Sequence, residues 1–181
     1  MSKVNITYYA ILGLLTHGDL TGYDIKKRID ISISNFWDAG YGQIYPTLKT
    51  LEGENLITKT KDSSEKGPDR IIYTITDAGK KKLIEWILDS NEKEYVRYEI
   101  LLKLFFGNMV PVEENMEKVI KFRERNAQKL KSMESLEENL KKVLEDHGDH
   151  LYYYLTLLFG KHLYLAYLKW ADEVIDILRH R

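Results

Sequence analysis

The apolar positions of the chain follow a helical period, switch to a strand period, and then return to a helical one. In residues 4–16 they fall at Ile6, Ala10 and Leu14 and at Tyr9, Ile11, Leu12 and Leu15, which predicts a well-buried helix. The run ends at His17-Gly18-Asp19. Thr21 is the expected N-cap of a second helix carrying Tyr23, Ile25 and Ile29, with Asp24 three residues on as an acidic form of the capping box. Gly40 and Gly42 interrupt the chain before a third helix over 43–54. There Ile44, Leu48 and Leu51 form the buried stripe, while Tyr45, Thr47, Lys49 and Thr50 face elsewhere. Pro46 falls near the expected first turn, where a missing N–H costs little.

The period then shortens to two. Residues 56–61 and 71–76 are rich in Ile and Thr and read as the strands of a hairpin, joined by the charged segment 62–70. Thr76 or Asp77 caps a further helix that turns Leu83, Ile84, Ile87 and Leu88 inward. The polar residues 89–92 mark the expected boundary between a domain over 1–90 and a second over 91–181. The second domain reads as all helix: a short apolar helix over 98–106, a long one after Pro111, and a last one over 149–181. Met133, Leu136, Leu140 and Val143 recur at 3-4-3 spacing, a coiled-coil-like seam. Glu134, Glu137 and Glu138 read as a solvated face of the same helix.

Composition narrows the function classes. The chain has 181 residues, 27 Lys+Arg against 28 Asp+Glu, and 44% hydrophobic residues. A disordered acidic tail is excluded, and so is a uniformly basic protein that coats DNA. With no Cys there is no disulfide framework, thiolate metal site or Cys nucleophile. The longest apolar stretch, 151–168, is interrupted by Gly160, Lys161 and His162. A lysine at a bilayer centre costs roughly 2.5–3.5 kcal/mol, so a buried helix is expected and not a membrane span. No signal peptide is expected at the N-terminus, and the protein is expected in the cytoplasm. No phosphate-cradling Gly-rich loop, nucleophile elbow or metalloprotease motif occurs, so no catalytic residue, metal or cofactor is assigned. His147 and His150 flank a Gly-Asp turn, which reads as a polar connection and not as a metal site.

Three helices, a hairpin and another helix make up the order of a winged helix-turn-helix. In that arrangement the third helix enters the major groove and the wing reaches the adjacent backbone. The expected fold is therefore mainly α, with a small β-hairpin wing and a C-terminal helical dimerisation domain. Gln43, Tyr45, Pro46, Thr47, Lys49 and Thr50 become candidate DNA contacts on the third helix, Gln because it pairs bidentately with adenine. Tyr23, Lys26 and Lys27 on the second helix and Lys59, Lys61, Lys66 and Arg70 on the wing are candidate phosphate contacts.

The residues themselves sharpen this. Tyr9-Ala-Ile-Leu-Gly-Leu-Leu15, Thr21-Gly-Tyr-Asp-Ile-Lys-Lys-Arg-Ile29, Gln43-Ile-Tyr-Pro-Thr-Leu-Lys-Thr-Leu-Glu52 and Tyr73-Thr-Ile-Thr-Asp-Ala-Gly79 resemble, in order, the motifs of the PadR family of transcriptional regulators. Leu101-Leu-Lys-Leu-Phe-Phe-Gly107 and the helical tail resemble its longer-tailed branch. The resemblance implies a homodimeric repressor of a palindromic operator in double-stranded DNA, released by a small-molecule effector. It departs from the family at Tyr41-Gly42, where a Ser or Pro-Ser is usual, and at an acidic wing tip around Glu65 and Asp69.

The chain has 13 Tyr, many of them on the last helix. Too few helices exist in one chain to cover both the 133–143 seam and an apolar last helix, so a homodimer is expected. Its candidate contacts are Met133, Leu136, Leu140, Val143, Tyr153, Leu157, Tyr164 and Leu168. A second aromatic group, Tyr8, Phe36, Trp37, Trp86 and Tyr95, supplies candidate effector contacts near the domain junction. Two other readings stand beside the repressor. One is a winged-helix interaction module without DNA binding, suggested by Asp62, Glu65 and Asp69. The other is a small-molecule-binding protein built on the aromatics.

Overall fold

The N-terminal apolar run folds as α1 (Ile6–Leu15) and lies in the core of the first of two units. The computed structural model describes residues 5–34, 36–61, 70–90, 92–94 and 96–181, together with the backbone alone of Asp62. The units are Met1–Glu94 and Tyr95–Arg181. In the first, α1 is followed by β1 (Leu20–Thr21), α2 (Gly22–Arg28), a π-helical turn (Ile29–Ile33) and α3 (Tyr41–Gly53). Then come β2 (Ile57–Asp62), β3 (Arg70–Ile75) and α4 (Asp77–Ile87). Ile11, Leu12, Leu15, Ile25, Ile29, Ile44, Leu48, Leu51 and Ile57 meet in its core, each at most 2% exposed. Of the side chains expected inward on α4, Leu83 is buried, but Ile84, Ile87 and Leu88 are exposed.

The capping box forms as its residue types dictate. Thr21 Oγ1 accepts from the Asp24 N–H at 3.1 Å, and Asp24 Oδ2 accepts from the Thr21 N–H at 3.1 Å. The same stretch supplies a strand that the sequence pattern missed. Leu20 and Thr21 pair antiparallel with Tyr73 and Ile72, so the sheet has three strands in the order β1-β3-β2. Two residues are too short to display a period, and the extended backbone of an N-cap is already strand-like.

Helix α3 begins at Tyr41 with Gly40 as N-cap, two residues before the position the glycines suggest. Pro46 therefore sits in the second turn and deprives the Gly42 carbonyl of its helical donor. The helix closes with a Schellman motif. The Leu56 N–H donates to Leu51 O and the Asn55 N–H to Glu52 O, each at 3.0 Å, with Asn55 in the left-handed region at φ 57°. This turn delivers Leu56, whose carbonyl accepts from the Thr76 N–H at 3.0 Å. A Cβ on Gly79 would stand 2.2 Å from that carbonyl, so the last Gly of the Tyr-Thr-Ile-Thr-Asp-Ala-Gly motif is fixed by backbone contact.

The second unit contains α5 (Glu99–Phe105), a 3-10 turn (Gly107–Met109), α6 (Val112–Lys141) and α7 (Gly148–Arg179). The long helix ends before the glycine that was expected to stop it, and Gly148 opens α7 with His147 as N-cap. Helices α6 and α7 run antiparallel: Arg123 meets Asp172 near one end and Glu137 meets Lys161 towards the other. The buried row of α6 is Asn115, Val119, Phe122, Asn126, Leu130, Met133 and Glu137. It faces Leu157, Tyr164, Tyr167, Leu168, Ala171 and Ile175 on α7.

This row corrects two expectations. Met133 and Tyr164 are buried, with Leu157 and Leu168 packed against them, inside one chain. Those four therefore pack within the helix pair of one chain, Met133 and Tyr164 fully and Leu157 and Leu168 half-buried. Glu137 is buried and not solvated, while Leu136 is exposed. The stripe passes through Glu137 because Lys141 and Lys161 both reach it, at 2.7 and 2.6 Å, the second from within the apolar run of α7. Hydrogen bonds from these two lysines hold its carboxyl down at about 2. Among the described residues, no helix is long and apolar enough to cross a membrane.

Candidate nucleic-acid interface

The outer flank of α3 is built by subtraction. Ile44, Thr47, Leu48 and Leu51 occupy one arc at the spacing i, i+3, i+4, i+7 and are buried. Gln43, Tyr45, Pro46, Lys49 and Thr50 are left in solvent. Thr47 is thus removed from the candidate contacts. It is 2% exposed; its hydroxyl donates to Gln43 O at 2.7 Å and accepts from Asn5 Nδ2 at 2.8 Å. The Thr50 hydroxyl bonds back to Pro46 O at 3.1 Å.

Tyr45 is held against the start of α2. A Cβ on Gly22 would lie 2.7 Å from Tyr45 Cε1, so the ring occupies the space that glycine vacates. On its other side Tyr45 stacks on Tyr41, with ring centroids 6.0 Å apart. Tyr23, Asp24, Arg70, Ile71 and Tyr73 join Thr21, Gly22 and Tyr45 around a cleft of about 550 Å³ between α2, α3 and β3. Burial pushes the Tyr73 hydroxyl pKa up, while hydrogen bonds from Thr21 pull the Asp24 carboxyl down. Tyrosine hydroxyls and an Arg guanidinium around one open cleft suit a phosphate oxygen.

The lysines divide into two kinds. Lys27 and Lys49 are exposed, with no carboxylate ion-paired to them among the described residues. Lys26 and Lys59 are held by acids. Lys26 pairs with Asp30 and lies 3.5 Å from Asp38. Lys59 meets Glu52 Oε1 at 2.7 Å and Oε2 at 2.9 Å. Both ammonium groups have raised pKa values, first through these hydrogen bonds. Lys61 is exposed on β2, and Lys66 lies outside the described residues.

The aromatic group in the first unit is tied into its surroundings. Tyr8 donates to Glu54 Oε2 at 2.5 Å, and burial pushes its hydroxyl pKa up. Trp37 Nε1 donates to Thr7 Oγ1 at 3.4 Å, and Trp86 stacks on Tyr9 with centroids 4.6 Å apart. Phe36 is exposed, and Tyr95 lies outside the described residues. In the second unit, Leu136 and Tyr153 remain exposed, with Leu140 and Val143 half-buried. Sequence reasoning missed an apolar stripe on α7, Leu151, Tyr152, Leu155 and Phe159, each 50–66% exposed. Its i, i+4, i+8 spacing was legible, but a helix apolar all round hides which side faces outward. His147 Nδ1 accepts from the Asp149 N–H at 3.4 Å, and His150 Nδ1 lies 2.5 Å from Val143 O.

Comparison with known proteins extends this picture over the whole chain. The transcriptional regulator PadR-like family matches residues 11–85, and the virulence activator alpha C-term family matches residues 96–179. The negative transcriptional regulator PadR of Bacillus subtilis is 29% identical over 183 residues, covering 97% of this chain and 98% of the relative. The crystal structure of Bacillus subtilis PadR with operator DNA aligns over 98% of this chain and 99% of that one, with TM-score 0.87 and 28% identity. The structure of Bacillus subtilis PadR with p-coumaric acid is 30% identical over 96% of this chain and 99% of that one, with TM-score 0.76.

Proposed function

The chain belongs to the PadR-like family of transcriptional regulators, and from that premise we propose that it is a homodimeric repressor of an inverted-repeat operator, acting in the cytoplasm and released by a small aromatic effector. The observation that carries this reading is the solvent-facing flank of α3, with Gln43, Tyr45, Lys49 and Thr50 beside a cleft bearing Arg70. It occurs in a chain whose like-folded relative was crystallised on operator DNA. Gln43 and Thr50 read base edges, and Tyr23, Lys27, Tyr45, Lys49, Lys61 and Arg70 engage phosphate. Residues 1–90 form the reading domain and residues 91–181 the dimerisation domain.

The dimer follows from surface chemistry. Leu151, Tyr152, Leu155 and Phe159 present a contiguous apolar row on α7, and Leu101, Leu102, Phe105 and Phe106 are exposed on and after α5. A single chain leaves this area in water, and a second copy removes it. For the effector, a relative bound to p-coumaric acid supports a planar aromatic acid. Its proposed contacts are drawn from Tyr8, Phe36, Trp37, Trp86 and Tyr95.

Fluorescence anisotropy with duplexes from upstream of the protein's own gene tests the reading. The expected result is preference for one inverted repeat over random duplex, weakening steeply with salt. Equal binding to both at moderate salt, or none, overturns it.

A further inference from the structure

Lys59 leaves β2 on the same face as the buried Ile57, two residues before it, and so turns towards α3. There it meets Glu52, whose two carboxylate oxygens lie 2.7 and 2.9 Å from its ammonium. Glu52 is in the last turn of α3, the end of the helix where partial negative charge collects. A carboxylate is disfavoured at that end, and the wing lysine compensates it. The pair is half-exposed, with side-chain exposures of 51% and 33%, so a nearby DNA phosphate would compete with Glu52 for the same ammonium. Lys49 on the same helix has no such partner among the described residues.

We propose that Glu52 is a positioning residue that withholds Lys59 from the DNA backbone and so sets the affinity and salt dependence of binding. The proposal rests on the DNA-binding reading above. In it, one acid on the recognition helix silences one cation on the wing, and the sequence-specific contacts of α3 keep a larger share of the total.

The test is anisotropy titration of the full-length dimer on a random-sequence duplex of about 30 bp over a range of salt concentrations. Glu52→Gln keeps the shape and an acceptor but removes the charge. Two released lysines per dimer should tighten binding about tenfold at low salt and steepen the log–log salt slope by about 1.8. Lys59→Ala in the otherwise unaltered chain should weaken binding less than about twofold, and the same change on the Glu52→Gln background should abolish the gain. A fold-supporting role for Glu52 alone would leave the slope unmoved. Unchanged or weakened binding by Glu52→Gln overturns the proposal, as does a flattening of about 1.8 from Lys59→Ala alone. If the unaltered chain binds with a salt-dependent affinity and Glu52→Gln does not differ, only this inference fails. If the unaltered chain shows no salt-dependent binding, the reading beneath it fails too.

Discussion

The two units bury opposite things. The first closes a nearly all-apolar core from short elements, in which Thr7 and Thr47 are the buried polar side chains among the described residues, and leaves its charged side chains outside. The second buries Asn115, Asn126 and Glu137 between helices while Leu101, Phe105, Tyr152, Leu155 and Phe159 stand in solvent. Most of these groups find partners: Asn126 Nδ2 donates to Phe122 O at 2.6 Å, Asn115 Nδ2 to Gly107 O at 2.7 Å, and Glu137 takes two lysines, while Asn115 Oδ1 is buried without a hydrogen-bond partner among the described residues. Buried polar groups specify one register and contribute little net stability. Exposed apolar rows call for another surface. Apart from Ile84, Ile87 and Leu88, which stand exposed at the end of α4, the first unit thus has the character of a finished domain, and the second that of half of an assembly.

The largest effect should come from breaking the assembly while sparing the finished domain. Leu155→Glu combined with Phe159→Glu places charges on the exposed row of α7. Each lost anchor costs on the order of 2 kcal/mol and occurs twice in a symmetric pair, so the dimer should weaken at least about a thousandfold. Sedimentation velocity should report a monomer, with the melting of the first unit unchanged. A variant that stays dimeric would move the dimer face elsewhere.

The converse change breaks the first unit. Gly79→Ala drives a methyl group to 2.2 Å from the Leu56 carbonyl, where only backbone movement can relieve it. Overpacking of this kind costs about 3 kcal/mol, read as a fall in the denaturation midpoint of the first unit. The helical content of the second unit should be retained. Loss of both transitions together would mean that the units fold as one.

What the sequence made legible differs between the units for the same reason. In the first, local rules agree with the tertiary structure: Thr21 and Asp24 cap α2, and Ile44, Leu48 and Leu51 mark the core face of α3. It failed where residue type and position disagree. Thr47 reads as polar, yet it lies three residues after Ile44 and is buried with it. In the second unit that conflict is general. Leu136 is one of the apolar residues of the 133–143 seam yet lies outside, while Glu137 lies within because Lys141 and Lys161 answer it from two helices. The i,i+4 spacing of Glu137 and Lys141 is legible, but ion pairs between distant residues leave no periodic trace, so neither the reach of Lys161 to Glu137 nor the Glu52–Lys59 pair could be read from spacing.

The reading face allows a finer test of the same distinction between type and position. Gln43 is exposed, and Gln43→Ala should cost about 1–3 kcal/mol of preference at a single operator position if it pairs with a base. Thr47→Val keeps the shape but loses the bond from Asn5 Nδ2. It should lower thermal stability and leave base preference at every position as it was. A change in base preference from Thr47→Val would return that residue to the interface.

The smallest expected effect concerns the polar hub of the second unit, and it appears only in acid. Glu137 is held at about 2 in the folded chain by hydrogen bonds from Lys141 and Lys161, below the ordinary carboxylate value of about 4.3. Because the folded value is the lower one, the stabilisation is complete above the unfolded value and is lost as pH falls through about 4 towards about 2. Melting of the second unit, followed by helical circular dichroism across that window, should therefore decline with acid in the unaltered chain. In Glu137→Gln the decline should flatten, because the side chain no longer takes up a proton, with a loss of a few degrees at neutral pH from the weakened lysine contacts. Lys161→Met separates the two lysines: it leaves Lys141 on Glu137 and restores an apolar residue to the middle of α7. The folded carboxyl should then titrate closer to its ordinary value, shifting the acid decline to higher pH. An acid decline identical in all three proteins would show that Glu137 is not what couples this helix pair to protons.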